Sequence, residues 1–349
     1  MDFEKLLAQY DYEHPESAVA LAPASPRDSA RLLVLRPDGS ESDDTFRNLL
    51  KYLPPKSVLV MNETKVIPAR LEVSKPTGGK VRLLFVREAG ARKFYALADR
   101  PIDEGSLLAV VPRLQFEVVR REGTEWLMNV RGSSSPLSIF KKFGRTPIPP
   151  YLKATPLREK ILREKYQTVF AKHEGSVAAP TASLHFTPRL LKKIRAAGHS
   201  IVNVTLHVGL GTFAPLTPQH LAEGKLHEER FEIPAATAKA VAAAKRQGRP
   251  VIAVGTTACR AVESAANAKG LLAKRAGKTR LFVTPGYRFK IVDGLITNFH
   301  VPKSSLLMLV SAFVGRGRLL DAYRRAIARG FRMFSFGDAM LILPKTGKK

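Results

Sequence analysis

The chain has 349 residues, 45% hydrophobic and 25% charged, with a formal charge of +27 and a single cysteine. This composition excludes a disordered or low-complexity chain, an intrachain disulfide framework and a cysteine-based metal cluster. The surplus of positive charge points to a polyanionic partner, nucleic acid before a membrane surface, because each phosphate neutralised releases counterions.

In chain order, residues 1–69 carry 8 basic and 11 acidic side chains, and two extended segments, 57–61 and 66–73, flank the run Asn62-Glu63-Thr64-Lys65. Residues 70–145 carry 15 basic and 8 acidic side chains, and the texture changes there. Short β-like runs separated by Gly, Pro and Asp predict a small barrel with no helices between its strands. "GRTPIPPYL" (144–152) is a proline-stiffened return. Beyond it, residues 146–349 hold 34 basic and 11 acidic side chains, and helices alternate with strands.

"TPRLLKKIRAAGH" predicts a helix with Thr187 as N-cap, Pro188 in the first turn and Gly198 as the stop. An Ala-rich helix ends at Gly248, and the apolar strand "PVIAVG" runs straight into the helix "TTACRAVESAANA". Asp293-Gly294 predicts a tight hairpin turn. Two helices follow over 302–315 and 319–330, then "FRMFSFGDAMLIL" as strand-turn-strand. The fold class is α/β: a mixed α/β main domain, 1–70 plus 146–349, with an inserted small β-barrel domain, 71–145. The longest apolar run, 305–315, is too short to span a bilayer and the N-terminus lacks a basic leader, which predicts a cytoplasmic protein with no membrane association.

Chemistry concentrates in a few segments. At "VIAVGTTACR" Gly255 permits a sharp turn, and Thr256 and Thr257 stand beside the free N–H groups of a helix start. Arg260, one turn on, offers a fork suited to carboxylate or phosphate; plain N-capping by threonine explains the segment equally well. His185 and His207 sit in irregular, small-residue segments where an imidazole serves proton transfer or simply packs. His227 and Glu229, at i, i+2, face one side of a strand as an acid/base pair or an ordinary ion pair. Asn298 and His300 close a strand before a Pro-led helix, and Asp338 follows a glycine turn. No HxxxH or HxH spacing supports a metal site, and no dinucleotide fingerprint is present.

Eight segments, in this order, resemble the S-adenosylmethionine:tRNA ribosyltransferase-isomerase family of queuosine biosynthesis: "PRDSARLL" (26–33), "NETKVIPARL" (62–71), "PIPPYL" (147–152), "YQTVFAKHEGSVAAPTASLHF" (166–186), "VTLHVGLGTF" (204–213), "VGTTACRAVESA" (254–265), "PGYRFKIVDGLITNFHVPKSSLLMLVSAF" (285–313) and "FSFGDAM" (334–340). The resemblance implies an α/β domain carrying an inserted β-barrel. It implies transfer and isomerisation of the ribosyl group of S-adenosylmethionine, the co-substrate, onto 7-aminomethyl-7-deazaguanine at the wobble position of a tRNA anticodon stem-loop, giving epoxyqueuosine, adenine and methionine. On that reading His185, His207, His300 and His227 are the acid/base candidates. Thr256, Thr257 and Arg260 hold the methionine carboxylate or a phosphate, and Thr181, Asn298 and Asp338 contact ribose, adenine or ammonium. No metal is expected, and a monomer and a homo-oligomer both stay open.

Several positions depart from the family pattern. Ser183 and Gly224 replace a glycine and a histidine, Leu210 stands beside the glycines of 209–211, Ala258 loses a hydroxyl and Arg82 replaces a carboxylate. If position 183 needs a glycine-only backbone, serine distorts the pocket. These departures keep two alternatives in view: a non-catalytic tRNA- or nucleoside-binding relative, and a transferase acting on a different modified nucleoside.

Overall fold

The computed structural model describes residues 2–209 and 215–344. The apolar runs Val58–Asn62, Val251–Val254 and Gly294–Asn298 are buried along their whole length, the pattern of strands covered on both faces. With Ser200–Leu206 they form four adjacent parallel strands at the centre of a nine-stranded sheet. Its spatial order is Ala276–Leu281, Lys225–Glu232, Ser200–Leu206, Val58–Asn62, Val251–Val254, Gly294–Asn298, Ala339–Ile342, Arg31–Leu35 and Glu41–Thr45. Alternate side chains feed two cores. Val58, Val60, Val251, Ala253 and Leu295 pack with helices Ala235–Arg246, Thr256–Ala265, Ser305–Val314 and Arg316–Ala328. Leu59, Met61, Ile252, Val254 and Ile296 pack with helix Pro188–Ala196 and the short helical segment Phe46–Lys51.

The predicted cap at Thr187 is present: its side chain accepts a hydrogen bond from the Leu190 N–H at 3.2 Å. The predicted hairpin at Asp293-Gly294 is not. Gly294 begins a strand that runs parallel to Val251–Val254 and antiparallel to Ala339–Ile342. A Cβ on Gly294 would lie 2.9 Å from the Ile342 carbonyl oxygen, so close strand approach, not a turn, requires the glycine. Asp293 accepts hydrogen bonds from the Val251 N–H and the Lys245 ammonium instead. Likewise "FRMFSFGDAMLIL" contributes one strand, Ala339–Ile342, preceded by a structured loop.

Residues 70–131 form a six-stranded antiparallel sheet in which every strand has two neighbours, in the order Glu125–Arg131, Lys93–Ala98, Lys80–Glu88, Arg70–Ser74, Leu107–Val111 and Leu114–Glu122. Inward positions alternate along it, and Phe85, Phe94 and Phe116 fill the interior. Helix Pro136–Phe143, which the sequence pattern did not announce, closes one end by inserting Phe140 edge-on to Phe85 and Phe94 at ring separations of 5.2 and 5.5 Å. The small sheet opens at Arg70, and the chain comes back beside that residue at Arg145, where the two backbones exchange hydrogen bonds of 3.1 and 2.7 Å. No helix among the described residues is long and apolar enough to cross a membrane.

Candidate functional site

The four central parallel strands all end at the same edge of the sheet, and the segments that leave them wall a cleft of about 510 Å³ there. Open α/β sheets gather ligands at this edge, and the volume lies within the range of small-molecule sites. Residues 178–182 form one wall, Gly255–Thr257 a second and Thr297–Leu306 a third. Tyr151, Tyr166, Phe334 and Ser335 complete it.

One side of the cleft offers hydrogen-bond donors. Gly255, at φ +90°, turns the chain abruptly from strand into helix Thr256–Ala265, so Thr256 and Thr257 reach the cleft at the helix start. The first N–H groups of that helix lack intrahelical partners and, with the helix dipole, favour an anionic group. The other side is aromatic. Tyr151 and Phe334 lie 4.9 Å apart, and the Tyr151 hydroxyl is 2.7 Å from Ser335 Oγ. Burial pushes the Tyr151 phenol up to about 12, so it stays protonated at neutral pH. Phe334 and Lys303 both line the cleft with φ of +70° and +55°, two of the three non-glycine residues in left-handed conformation among those described. Such strain concentrates at functional sites.

Thr181, Thr256, Thr257, Asn298 and His300 therefore converge on one cleft, and five other predicted residues do not line it. His185 is buried behind the wall. Its Nε2 lies 3.2 Å from Asn298 Nδ2, which donates to it, and burial pushes the imidazole down to about 4 although Asp338 pulls the other way. His207 Nδ1 is 2.9 Å from Thr64 Oγ1, and its ring packs over Gly175. Burial first, then the neighbouring His173 and Arg230, lower its pKa. His227 is exposed on strand Lys225–Glu232 and stacks edge-on against His220 at 4.7 Å. Glu229, the other half of the expected pair, is buried and forms an ion pair with Arg260. Arg260 Nε also donates to the Leu281 carbonyl, so the fork predicted for a ligand holds a strand to a helix. Asp338, 1% exposed, accepts from the backbone N–H groups of Arg31 and Arg332 and from the Arg332 guanidinium. It fastens the loop that presents Phe334 and Ser335.

His300 is the one histidine of the four on the cleft wall. Its Nε2 lies 2.8 Å from Thr297 Oγ1, and burial pushes it down to about 3, so it is neutral at pH 7. Asn298 spends its Nδ2 on His185 and the Asp338 carbonyl, while its Oδ1 is buried without a partner. Sequence reasoning missed Tyr151, Phe334 and Ser335. Their signal was present, an aromatic inside "PIPPYL" and an aromatic-hydroxyl pair inside "FSFGDAM", but nothing local says that segments 184 residues apart meet.

Ser183 adopts ordinary helical-turn backbone, although its Oγ is buried without a partner among the described residues. Ser183 lies in the short helical turn Thr181–His185, is not among the residues at positive φ, and donates its N–H to the Pro180 carbonyl at 2.9 Å. The distortion expected of a serine there does not occur. Gly224 ends helix Pro218–Glu223 at φ +60°, Ala258 is buried in its helix, and Arg82 pairs with Asp99. Leu210 lies outside the described residues.

The family described as queuosine biosynthesis protein matches residues 7–342. The S-adenosylmethionine:tRNA ribosyltransferase-isomerase of Thermus thermophilus is 47% identical over 97% of this chain and 99% of its own. That of Trichlorobacter lovleyi is 44% identical over 97% and 100%. A crystal structure of S-adenosylmethionine tRNA ribosyltransferase from Thermotoga maritima is similar with a TM-score of 0.56 and 32% identity, covering 96% of this chain and 100% of that one.

Proposed function

The chain belongs to the queuosine biosynthesis family, and from that premise we propose that its cleft binds S-adenosylmethionine and carries its ribosyl group to a modified guanine of tRNA. The enzyme is an S-adenosylmethionine:tRNA ribosyltransferase-isomerase of queuosine synthesis. The acceptor is 7-aminomethyl-7-deazaguanine at the wobble position, and the products are epoxyqueuosine, adenine and methionine. One observation carries this reading: segments of the family resemblance scattered from Pro150 to Ser335 are brought together as walls of a single cleft.

The residues fit an amino-acid-bearing nucleoside. Thr256 and Thr257 at the helix start suit the methionine carboxylate, and the Tyr151–Phe334 side suits the adenine ring. Thr181 and Asn298 stand where sugar hydroxyls would meet hydrogen-bonding groups. When bound, the sulfonium acidifies the neighbouring ribose C5′ hydrogens. His300, kept neutral by burial and placed beside Thr297 Oγ1, is the acid/base candidate of the cleft, and His185 positions Asn298 from behind. Residues 1–70 plus 146–349 form the catalytic unit in this reading, and 71–145 an inserted small barrel. The positive charge, +27 in all, serves the tRNA anticodon arm.

The test is direct. The protein is incubated with S-adenosylmethionine and tRNA bearing 7-aminomethyl-7-deazaguanine, digested, and the nucleosides read by mass spectrometry with adenine release in parallel. Epoxyqueuosine with stoichiometric adenine is expected. Folded protein that binds the tRNA yet forms neither product overturns the reading.

A further inference from the structure

We propose that Asn62 is a positioning residue that sets the polarity of the Thr257 hydroxyl, presenting it to the cleft as a hydrogen-bond donor for an oxyanion of the ligand. This rests on the reading of the cleft given above and deepens it.

Asn62 is fully buried at the end of strand Val58–Asn62, one strand away from the cleft wall it serves. Its Oδ1 accepts from the backbone N–H groups of Leu206 at 3.0 Å and Thr64 at 3.2 Å. Its Nδ2 donates to the Leu206 carbonyl at 2.9 Å and to Thr257 Oγ1 at 3.1 Å. The three backbone contacts determine which end of the amide is which. Two N–H donors require the oxygen, and a carbonyl requires the nitrogen. Thr257 Oγ1 is therefore obliged to accept.

A hydroxyl that accepts from one side keeps its own hydrogen for another. Thr257 makes no other side-chain hydrogen bond among the described residues, is half-buried, and lines the cleft at the second position of helix Thr256–Ala265. Its hydrogen then joins the free N–H groups of the helix start, and all point positive charge at one place. Were Thr257 to donate inward, its lone pairs would face that place and oppose an anion. Asn62 excludes that alternative because it already satisfies three backbone groups and offers Thr257 only a donor.

The ligand chemistry is an oxyanion, from the carboxylate of S-adenosylmethionine or from a tRNA phosphate. The full-length Asn62→Asp variant keeps side-chain size and the two acceptor contacts but replaces the donor with an oxygen, which draws the Thr257 hydrogen inward and also takes the donor away from the Leu206 carbonyl. Affinity is measured by calorimetry for S-adenosylmethionine and for 5′-methylthioadenosine, which keeps the nucleoside but lacks the whole aminocarboxypropyl arm and the sulfonium charge, and KM for tRNA is measured alongside. We expect S-adenosylmethionine binding to weaken about tenfold or more, with 5′-methylthioadenosine unaffected and kcat at saturation largely retained. Thr257→Val should show the same selective loss, and the double variant should be no weaker than Thr257→Val alone. A rise in KM for tRNA with unchanged nucleoside affinity would keep the polarity and assign the oxyanion to a phosphate.

Equal loss for both nucleosides, additive losses in the double variant, or no change in any quantity overturns the proposal. Should Asn62→Asp not fold, Thr257→Val alone decides, because an unchanged preference for the carboxylate-bearing nucleoside and an unchanged KM for tRNA overturn it. If the wild-type chain binds neither nucleoside, the reading of the cleft falls and takes the proposal with it. If it binds both while the variants behave as wild type, only the role of Asn62 falls.

Discussion

The six-stranded antiparallel sheet and the cleft of the nine-stranded sheet meet their physical demands in opposite ways. In the first, phenylalanines 85, 94, 116 and 140 fill one interior, and charged side chains are paired on the outside, as in Arg87–Glu125 and Arg131–Glu117. Among the described residues it contains no buried side-chain atom without a partner and no non-glycine residue at positive φ. Around the cleft both features accumulate: Tyr166 and Asn298 leave buried polar atoms unpaired, and Lys303 and Phe334 sit in left-handed backbone. The small sheet is built for its own stability. The cleft tolerates cost where a ligand could make use of it.

The sharpest way to break that comparison is to damage each region and ask what fails. Phe94→Ala removes a fully buried ring from the small sheet and should lower unfolding free energy by about 3–5 kcal/mol in urea titration, with kcat/KM of the folded fraction preserved. Loss of catalysis out of proportion to unfolding would mean that the two regions are not separate in function.

A pH titration of stability probes the cleft side. His185 is held near 4 in the fold against an ordinary value of 6.5, so as pH falls between these values the unfolded chain takes up a proton that the folded chain refuses. Stability contributed by the neutral imidazole is full above 6.5 and declines by about 3 kcal/mol on reaching pH 4, at roughly 1.4 kcal/mol per unit. His185→Gln should flatten that slope in chemical denaturation curves taken across the range. An unaltered slope would return His185 to the proton-transferring role expected from sequence.

Thr256→Val tests the donor side of the cleft, and we expect KM for S-adenosylmethionine to rise about tenfold while the melting temperature holds. A fall in stability instead would make the residue a helix cap only. The smallest effect belongs to the outer face of the small sheet. Arg87→Ala, which breaks the exposed pair with Glu125, should cost about 0.2–1 kcal/mol and less in high salt.

Much of the fold was legible because its signals are local. The helix opening at Thr187 carries its cap, its proline and its glycine stop within a dozen residues. The alternation of short strands in 71–131 likewise reports a half-buried antiparallel sheet directly. What failed depended on partners remote in sequence. Asp293-Gly294 has the composition of a hairpin turn, but the Ile342 carbonyl, forty-eight positions on, decides its geometry. Arg260 has the spacing of a ligand-binding fork, and Glu229, 31 residues earlier, pairs with its Nη1 while Nη2 stays buried without a partner among the described residues. His185 looked inward-pointing and is so, but toward Asn298. Local pattern identified the segments that build the cleft, and it could not say which face of each segment the cleft would use.

The hydrogen bonds between Arg70 and Arg145 carry a consequence for how this architecture can change. Where the small sheet begins and where the chain comes back from it, the two backbones are already side by side. Everything between them hangs from a gap that an ordinary reverse turn could bridge. If the small sheet is an insertion, a variant in which a short turn joins residues 70 and 145 should keep every strand of the nine-stranded sheet, and loss of its cooperative unfolding would show that the large sheet depends on the small one.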